Sequence, residues 1–200
     1  MKTISASILM GFLLAGLLTA PDPASASEPQ KKQTTPQLGN SSSRANAERR
    51  RSAISERVRH ELAMMPYYGV FDWIEAQVMN DDSVVLRGQV TRPTTKSDAA
   101  YRIRKLESVS KVVNQIEELP PSPSDDRIRI AMYRAIFNYN GPLFRYSQGR
   151  PTIHIIVNNG RVALKGYVDD KMDKQLAYTY ARGVPGVFEV RDELKVIKGG

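Results

Sequence analysis

Val84-Val85-Leu86-Arg87-Gly88-Gln89-Val90 and Val162-Ala163-Leu164-Lys165-Gly166-Tyr167-Val168 are one pattern written twice, 78 residues apart. In each stretch apolar residues alternate about a single glycine. Val84, Leu86, Gly88 and Val90 share one face, as do Val162, Leu164, Gly166 and Val168. Period-two alternation of this kind marks a half-buried strand. The register holds without a gap further along the chain. Ala99, Ile103, Leu106, Val109, Val112 and Ile116 lie on Ala177, Ala181, Val184, Val187, Val190 and Leu194. The spacing is helical first and then falls into three-residue steps as far as Val112 and Val190. An internal repeat that keeps apolar on apolar over such a length is the unit of the fold.

Working outward, Ile54, Val58 and Leu62 form one helical face, and Ile128, Met132 and Ile136 form another. Ser124 precedes the second of these helices, with Asp125 and Asp126 in its first turn, where acidic residues favour an N-terminus. A strand at 153–157 leads through Asn158-Asn159-Gly160-Arg161, a tight-turn sequence, into the repeated stretch. The first copy has a looser turn over 79–83. A second helix follows at 96–107 and 171–182, and a last strand at 111–118 and 188–197. Each copy thus reads α-β-β-α-β. The expected class is α+β: two tandem modules, each a small three-stranded mixed sheet with two helices on one face. About 75 residues make a small core, so the two modules are expected to pack together.

The flanks read differently. Residues 1–26 have the plan of a secretory signal peptide: Lys2, an apolar run from Ile8 to Leu18, and Ala24-Ser25-Ala26 as a cleavage site. That apolar run rises only about 16 Å as a helix, short of the roughly 30 Å hydrocarbon core, so no transmembrane helix is expected in the mature chain. Residues 27–49 are polar and read as a disordered tether. Modules are then expected at 50–119 and 124–198, joined by the proline-rich linker 120–123. The chain has no cysteine, which excludes disulfides, thiol chemistry and a lipoprotein anchor. The signal-peptide reading predicts export of the protein, to the periplasm. Its net charge of +8 is uneven. Residues 53–119 carry nine Lys/Arg against ten Asp/Glu, whereas residues 120–200 carry thirteen against eight. A basic surface suits an anionic membrane, and export sets nucleic acid aside.

No catalytic constellation is present. His60 and His154 match no metal or nucleophile motif, and no cofactor or metal set is expected. The pairs Asp125-Asp126 and Asp169-Asp170 sit at helix starts, where capping explains them. The segments 64–73 and 139–150 occupy the same place in the two copies, between first helix and hairpin. Both are rich in aromatics, whose apolar bodies and polar tips suit a membrane–water interface. Tyr67, Tyr68, Phe144, Arg145, Tyr146 and Arg150 are the candidate surface-binding residues; Phe71 and Leu143 read as plugs of a small core, and Tyr67, Tyr68, Phe144 and Tyr146 suit that plug as well as a surface.

The hairpin with Leu-x-Gly-x-Val, followed by Val184-Pro185-Gly186-Val187-Phe188-Glu189-Val190, resembles the BON domain. The first copy departs from it by carrying Ser108 where the second has Gly186, yet keeps Gly88 and ends on Asn114-Gln115-Ile116. The resemblance implies a non-catalytic protein of the periplasm or outer membrane that binds phospholipid or another envelope component and supports the envelope under osmotic stress. Gly88, Gly166 and Gly186 are its marked positions, read here as structural because a strand glycine admits close approach of a neighbour. Two other functions stay open: a protein–protein scaffold using exposed strand edges, and binding of a small solute or ion.

Overall fold

The computed structural model describes residues 38–197; the signal-peptide reading and the first part of the tether fall outside them. The elements are α1 (Leu38–Ala63), β1 (Trp73–Val78), β2 (Val84–Val90), α2 (Pro93–Arg104), β3 (Val112–Glu118), α3 (Pro123–Ile136), β4 (Ile153–Asn158), β5 (Arg161–Val168), α4 (Lys171–Arg182) and β6 (Glu189–Val196). They form two three-stranded sheets, ordered β1-β2-β3 and β4-β5-β6. In each, the first pair is antiparallel and the second parallel, so both sheets are mixed as expected.

The 78-residue repeat is a register in space. Val84 faces Val112 in the parallel pair, and Val162 faces Val190. The antiparallel pair runs one residue out of step. Five residues separate Val78 from its partner Val84, but four separate Val157 from Val162. The first turn closes with the Met79 N–H on the Ser83 carbonyl (2.8 Å) and Asp82 at φ 59°. The second is a two-residue turn with Asn159 and Gly160 both at positive φ, the twist that suits a tight hairpin.

One core clusters Ile54, Val58 and Leu62 of α1 with Val84, Leu86, Ala99, Ile103 and Ile116. The other clusters Ile128, Met132 and Ile136 of α3 with Ile155, Leu164, Ala177, Ala181 and Leu194. In both, two helices cover one sheet face.

Helix boundaries depart from the sequence expectation in two places. α1 starts at Leu38 and includes residues 38–49, assigned above to the tether. Ala45, Ala47, Glu48 and three consecutive arginines are good helix formers, and Arg50 and Arg51 bind Asp82 and Asn80 of the first turn. α3 is capped by Ser122, not Ser124: the Ser122 hydroxyl accepts the Asp125 N–H (3.2 Å). Pro123 takes the first helical position, where its missing N–H costs nothing, so the linker's last prolyl residue belongs to the helix.

The Ser108/Gly186 difference is a change of turn type. Val109 N–H bonds to Leu106 O (2.9 Å), and Val187 N–H to Val184 O (3.4 Å), closing equivalent turns. Gly186 sits at φ 86° after Pro185, whereas Ser108 is not at positive φ. Proline then glycine suits a type II turn; a serine serves type I.

Candidate functional site

The segment after α1 joins the two copies. Val70 belongs to the second copy's core, and Phe71 packs against that core with its ring 6.4 Å from Tyr133. Phe71 thus plugs the neighbouring core. Ile155 of β4 donates its N–H to the Val70 carbonyl (2.7 Å), filling a position on the edge of the second sheet. His154 Nδ1 lies 3.1 Å from the Gly69 carbonyl, which can only accept, so Nδ1 carries the proton. The imidazole lies between Tyr68 (5.5 Å) and Trp73 (5.0 Å). Tyr68 is half-buried, and its hydroxyl accepts the Ile74 N–H (3.1 Å). Burial pushes that hydroxyl up to about 12, with Asp72 and Glu75 adding to the rise and the Ile74 N–H opposing it.

The equivalent segment of the second copy is built otherwise. A 3₁₀ helix, Pro142–Ser147, buries Leu143 and leaves Tyr146 only 7% exposed. The Tyr146 hydroxyl donates to Asp173 (2.5 Å) and accepts the Asp169 N–H (2.9 Å). In the first copy the corresponding N–H, that of Thr91, goes to the buried carboxylate of Asp72 (2.7 Å). One backbone donor at the end of the repeated strand is therefore satisfied by a carboxylate in one copy and a phenol in the other. Arg145 is held by Asp173 (2.5 Å) and Asp169 (3.7 Å). Burial first, and then the hydrogen bond to Asp173, raise the Tyr146 hydroxyl above its ordinary value.

Of the six candidate residues, Tyr146 is thus a core group and Arg145 is engaged by carboxylates. Tyr67 is 76% exposed, with Arg92 5.4 Å over its ring. Phe144 is half-buried and meets the ring of Tyr139 edge-on at 5.0 Å; Tyr139 itself is 78% exposed. Arg150 reaches the Met64 sulfur in the first copy's segment. The fold therefore brings the two segments together. Sequence reasoning passed over Tyr139 and Arg92. Arg92 stands far from Tyr67 in the chain, and only the course of the turn after β2 pairs them.

Beside this junction lies a groove of about 800 Å³ between the copies. Among the described residues, Arg59, Arg87, Arg150 and Lys195 line it with one acid, Glu75; Arg59 is paired to Glu56, and the rings of Trp73, His154 and Tyr167 stand in its walls. Tyr167 and Lys195 are outward positions of adjacent strands and face each other in register. Their alternation in the sequence turns them away from their own core, but nothing in it says that the other copy stands opposite.

Burial holds the His154 imidazole below its usual value of 6.5, against the opposing pull of the Gly69, Asp72 and Pro151 backbone and the Asp72 charge. The folded state therefore favours the neutral ring and binds fewer protons than the unfolded chain. Stability attached to His154 is present above its unfolded pKa and is lost as pH falls through the lower folded value. Denaturant unfolding is expected to show lower stability at about pH 5 than at about pH 7.5, with the difference smaller in His154→Gln. An equal difference in the variant would assign the effect elsewhere.

Among the described residues no group of His, Asp and Glu is arranged to hold a metal ion, and no helix is long and apolar enough to cross a membrane. Repeated α-β-β-α-β modules joined through a loop, with a charged groove between them, define a tandem-module protein. The BON domain profile matches residues 51–120 and 134–198, and the chain belongs to the BON domain family, which is generally non-catalytic. A search of curated proteins finds no match. Among solved structures, the chain is similar to CdsD, a structural protein of the Type III secretion system of Chlamydia trachomatis. Identity there is 12%, over 72% of this chain and 93% of that one, with a TM-score of 0.30. A structure of the CdsD C-terminal domain matches at 12% identity, over 69% of this chain and 96% of that one, with a TM-score of 0.24.

Proposed function

We propose that the protein is a peripheral module of the bacterial envelope, exported to the periplasm, that binds an anionic phospholipid surface through the side where its two helix-to-hairpin segments meet. One observation carries this reading. The segments meet where Arg150 reaches Met64, and they leave Met64 and Tyr67 exposed in one segment, with Arg92 over the Tyr67 ring, and Tyr139 exposed in the other. Amphipathic rings beside guanidinium groups match the boundary between acyl chains and phosphate headgroups. The basic excess of residues 120–200 supplies the longer-range attraction. Tyr146 and Arg145 support the surface from behind, by holding the 3₁₀ helix on which Phe144 stands. The family resemblance and the export signal agree with an envelope role under osmotic stress.

Co-sedimentation with vesicles tests this. Binding is expected to phosphatidylglycerol-containing vesicles and not to neutral phosphatidylcholine, weakening as salt rises. One basic residue near such a surface contributes about 1 kcal/mol, so Arg150→Ala is expected to weaken binding about fivefold. Tyr139→Ala should weaken it while leaving the fold unchanged. Equal binding to both vesicle types would sink the electrostatic reading.

A further inference from the structure

We propose that the open edge of β1 takes up an extended acidic segment of a partner protein as an added strand. β1 is an edge strand. The Met79–Ser83 hydrogen bond sets the alternation of its pairing with β2. Gln77, Glu75 and Trp73 exchange backbone bonds with β2, and the residues between them turn theirs outward. Ile74 N–H is indeed turned outward, onto the Tyr68 hydroxyl. The N–H and C=O of Ala76 therefore face away from β2, and Ala76 lines the groove.

The second copy shows what such an edge accepts. Ala76 faces Leu86, and Ile155 faces Leu164, so Ala76 and Ile155 are equivalent positions. The outward N–H of Ile155 is taken by the Val70 carbonyl of the first copy, whose side chain enters the second core. Ala76 receives no such bond from the described residues, although buried Leu62 and Met65 border the same groove.

Charge selects the occupant. Arg87, Arg150 and Lys195 outnumber Glu75 along the groove, and Arg59 stands beside them paired to Glu56. Lys195 stands on β6 of the second copy and Arg87 on β2 of the first, where it bonds Gln77 of β1, so the groove carries cations from both copies. Strand addition uses main-chain bonds for affinity and alternate side chains for selection. An extended chain with carboxylates at every second residue matches both terms. The protein's own segment 27–37 does not, because Lys31 and Lys32 outnumber Glu28.

The probe is a fluorescent peptide of about eight residues alternating Glu with Val or Thr, a usual strand length. Binding is read by anisotropy, and amide hydrogen exchange is followed on the whole chain. The expected result is saturable binding that slows exchange at Ala76. It should be lost when the peptide amides facing β1 are N-methylated, and weakened about tenfold or more in Arg87→Glu or Lys195→Glu. Both substitutions are on the surface, and circular dichroism verifies the fold. Absence of binding, retention by the N-methylated peptide, or protection elsewhere in the chain overturns the proposal. So does protection of Ala76 by phosphatidylglycerol vesicles in place of the peptide. Vesicle binding that depends on Tyr139 is a separate readout, so either reading can fail without the other.

Discussion

Gly166→Ala is expected to destabilise the second copy severely. Gly166 sits at φ 110°, where side chains are strained, at about 1–3 kcal/mol. A Cβ there would lie 2.0 Å from the carbonyl oxygen of Thr152, on the strand-side backbone leading into β4. Backbone cannot step aside as a flexible side chain does, so β4 must separate from β5, adding about 1–3 kcal/mol or more. A combined loss of about 2–6 kcal/mol is a large part of the roughly 5–15 kcal/mol that holds a domain folded. Gly88→Ala is the same experiment in the first copy, with the Trp73 carbonyl oxygen 1.9 Å from the added atom. Gly149→Ala is the control, since it shares a positive φ (63°) but has nothing within 4 Å. Urea unfolding should rank Gly166→Ala far below Gly149→Ala. Equal midpoints for the two variants would show that the close carbonyl is not what demands glycine.

Asp125→Ala is expected to be nearly as damaging. Its carboxylate, 1% exposed, accepts the N–H groups of Asn159 and Gly160, each at 2.9 Å. It sits in the first turn of α3, whose dipole favours a negative charge there. One side chain therefore ties the start of α3 to the β4–β5 turn. Nearby, Arg129 completes the tie by donating to Asp126 (2.5 Å) and to the Val157 carbonyl (2.7 Å). Removing the carboxylate strands two donors in a largely enclosed place, at about 1–3 kcal/mol each. A loss of about 3–5 kcal/mol in denaturant unfolding is expected, with Asp125→Asn intermediate because it keeps one acceptor oxygen. A loss under about 1 kcal/mol for Asp125→Ala would mean that water replaces it without penalty.

The strands of the repeat and the helical faces of Ile54 and Ile128 were legible because burial imposes a period on each chain segment separately. Asp125 was legible only as a helix-start residue. Its second task, holding a turn 34 residues away, leaves no local mark. Ser124, two residues after Ser122, has the same capping chemistry, and only backbone geometry shows that Pro123 opens the helix and Ser122 caps it. The candidate site divided for the same reason. Tyr67, Tyr139 and Tyr146 are alike as residues in aromatic loops. A carboxylate at 173 and a backbone N–H at 169 draw Tyr146 inward, and among the described residues no comparable hydrogen bond draws in the other two.

By itself, then, the sequence determined the module, its duplication, its glycine-bearing strands and its uneven charge. Each of these is a pattern of neighbours along the chain, and alternation or helical spacing writes them directly. The tertiary structure alone decided that the first copy lends Val70 to the second copy's core and edge, that His154 is buried between rings of the other copy, and that four cations meet across one groove. Those are contacts between segments 50 or more residues apart. Their free energy depends on how two finished surfaces meet, and no periodicity within either segment encodes it.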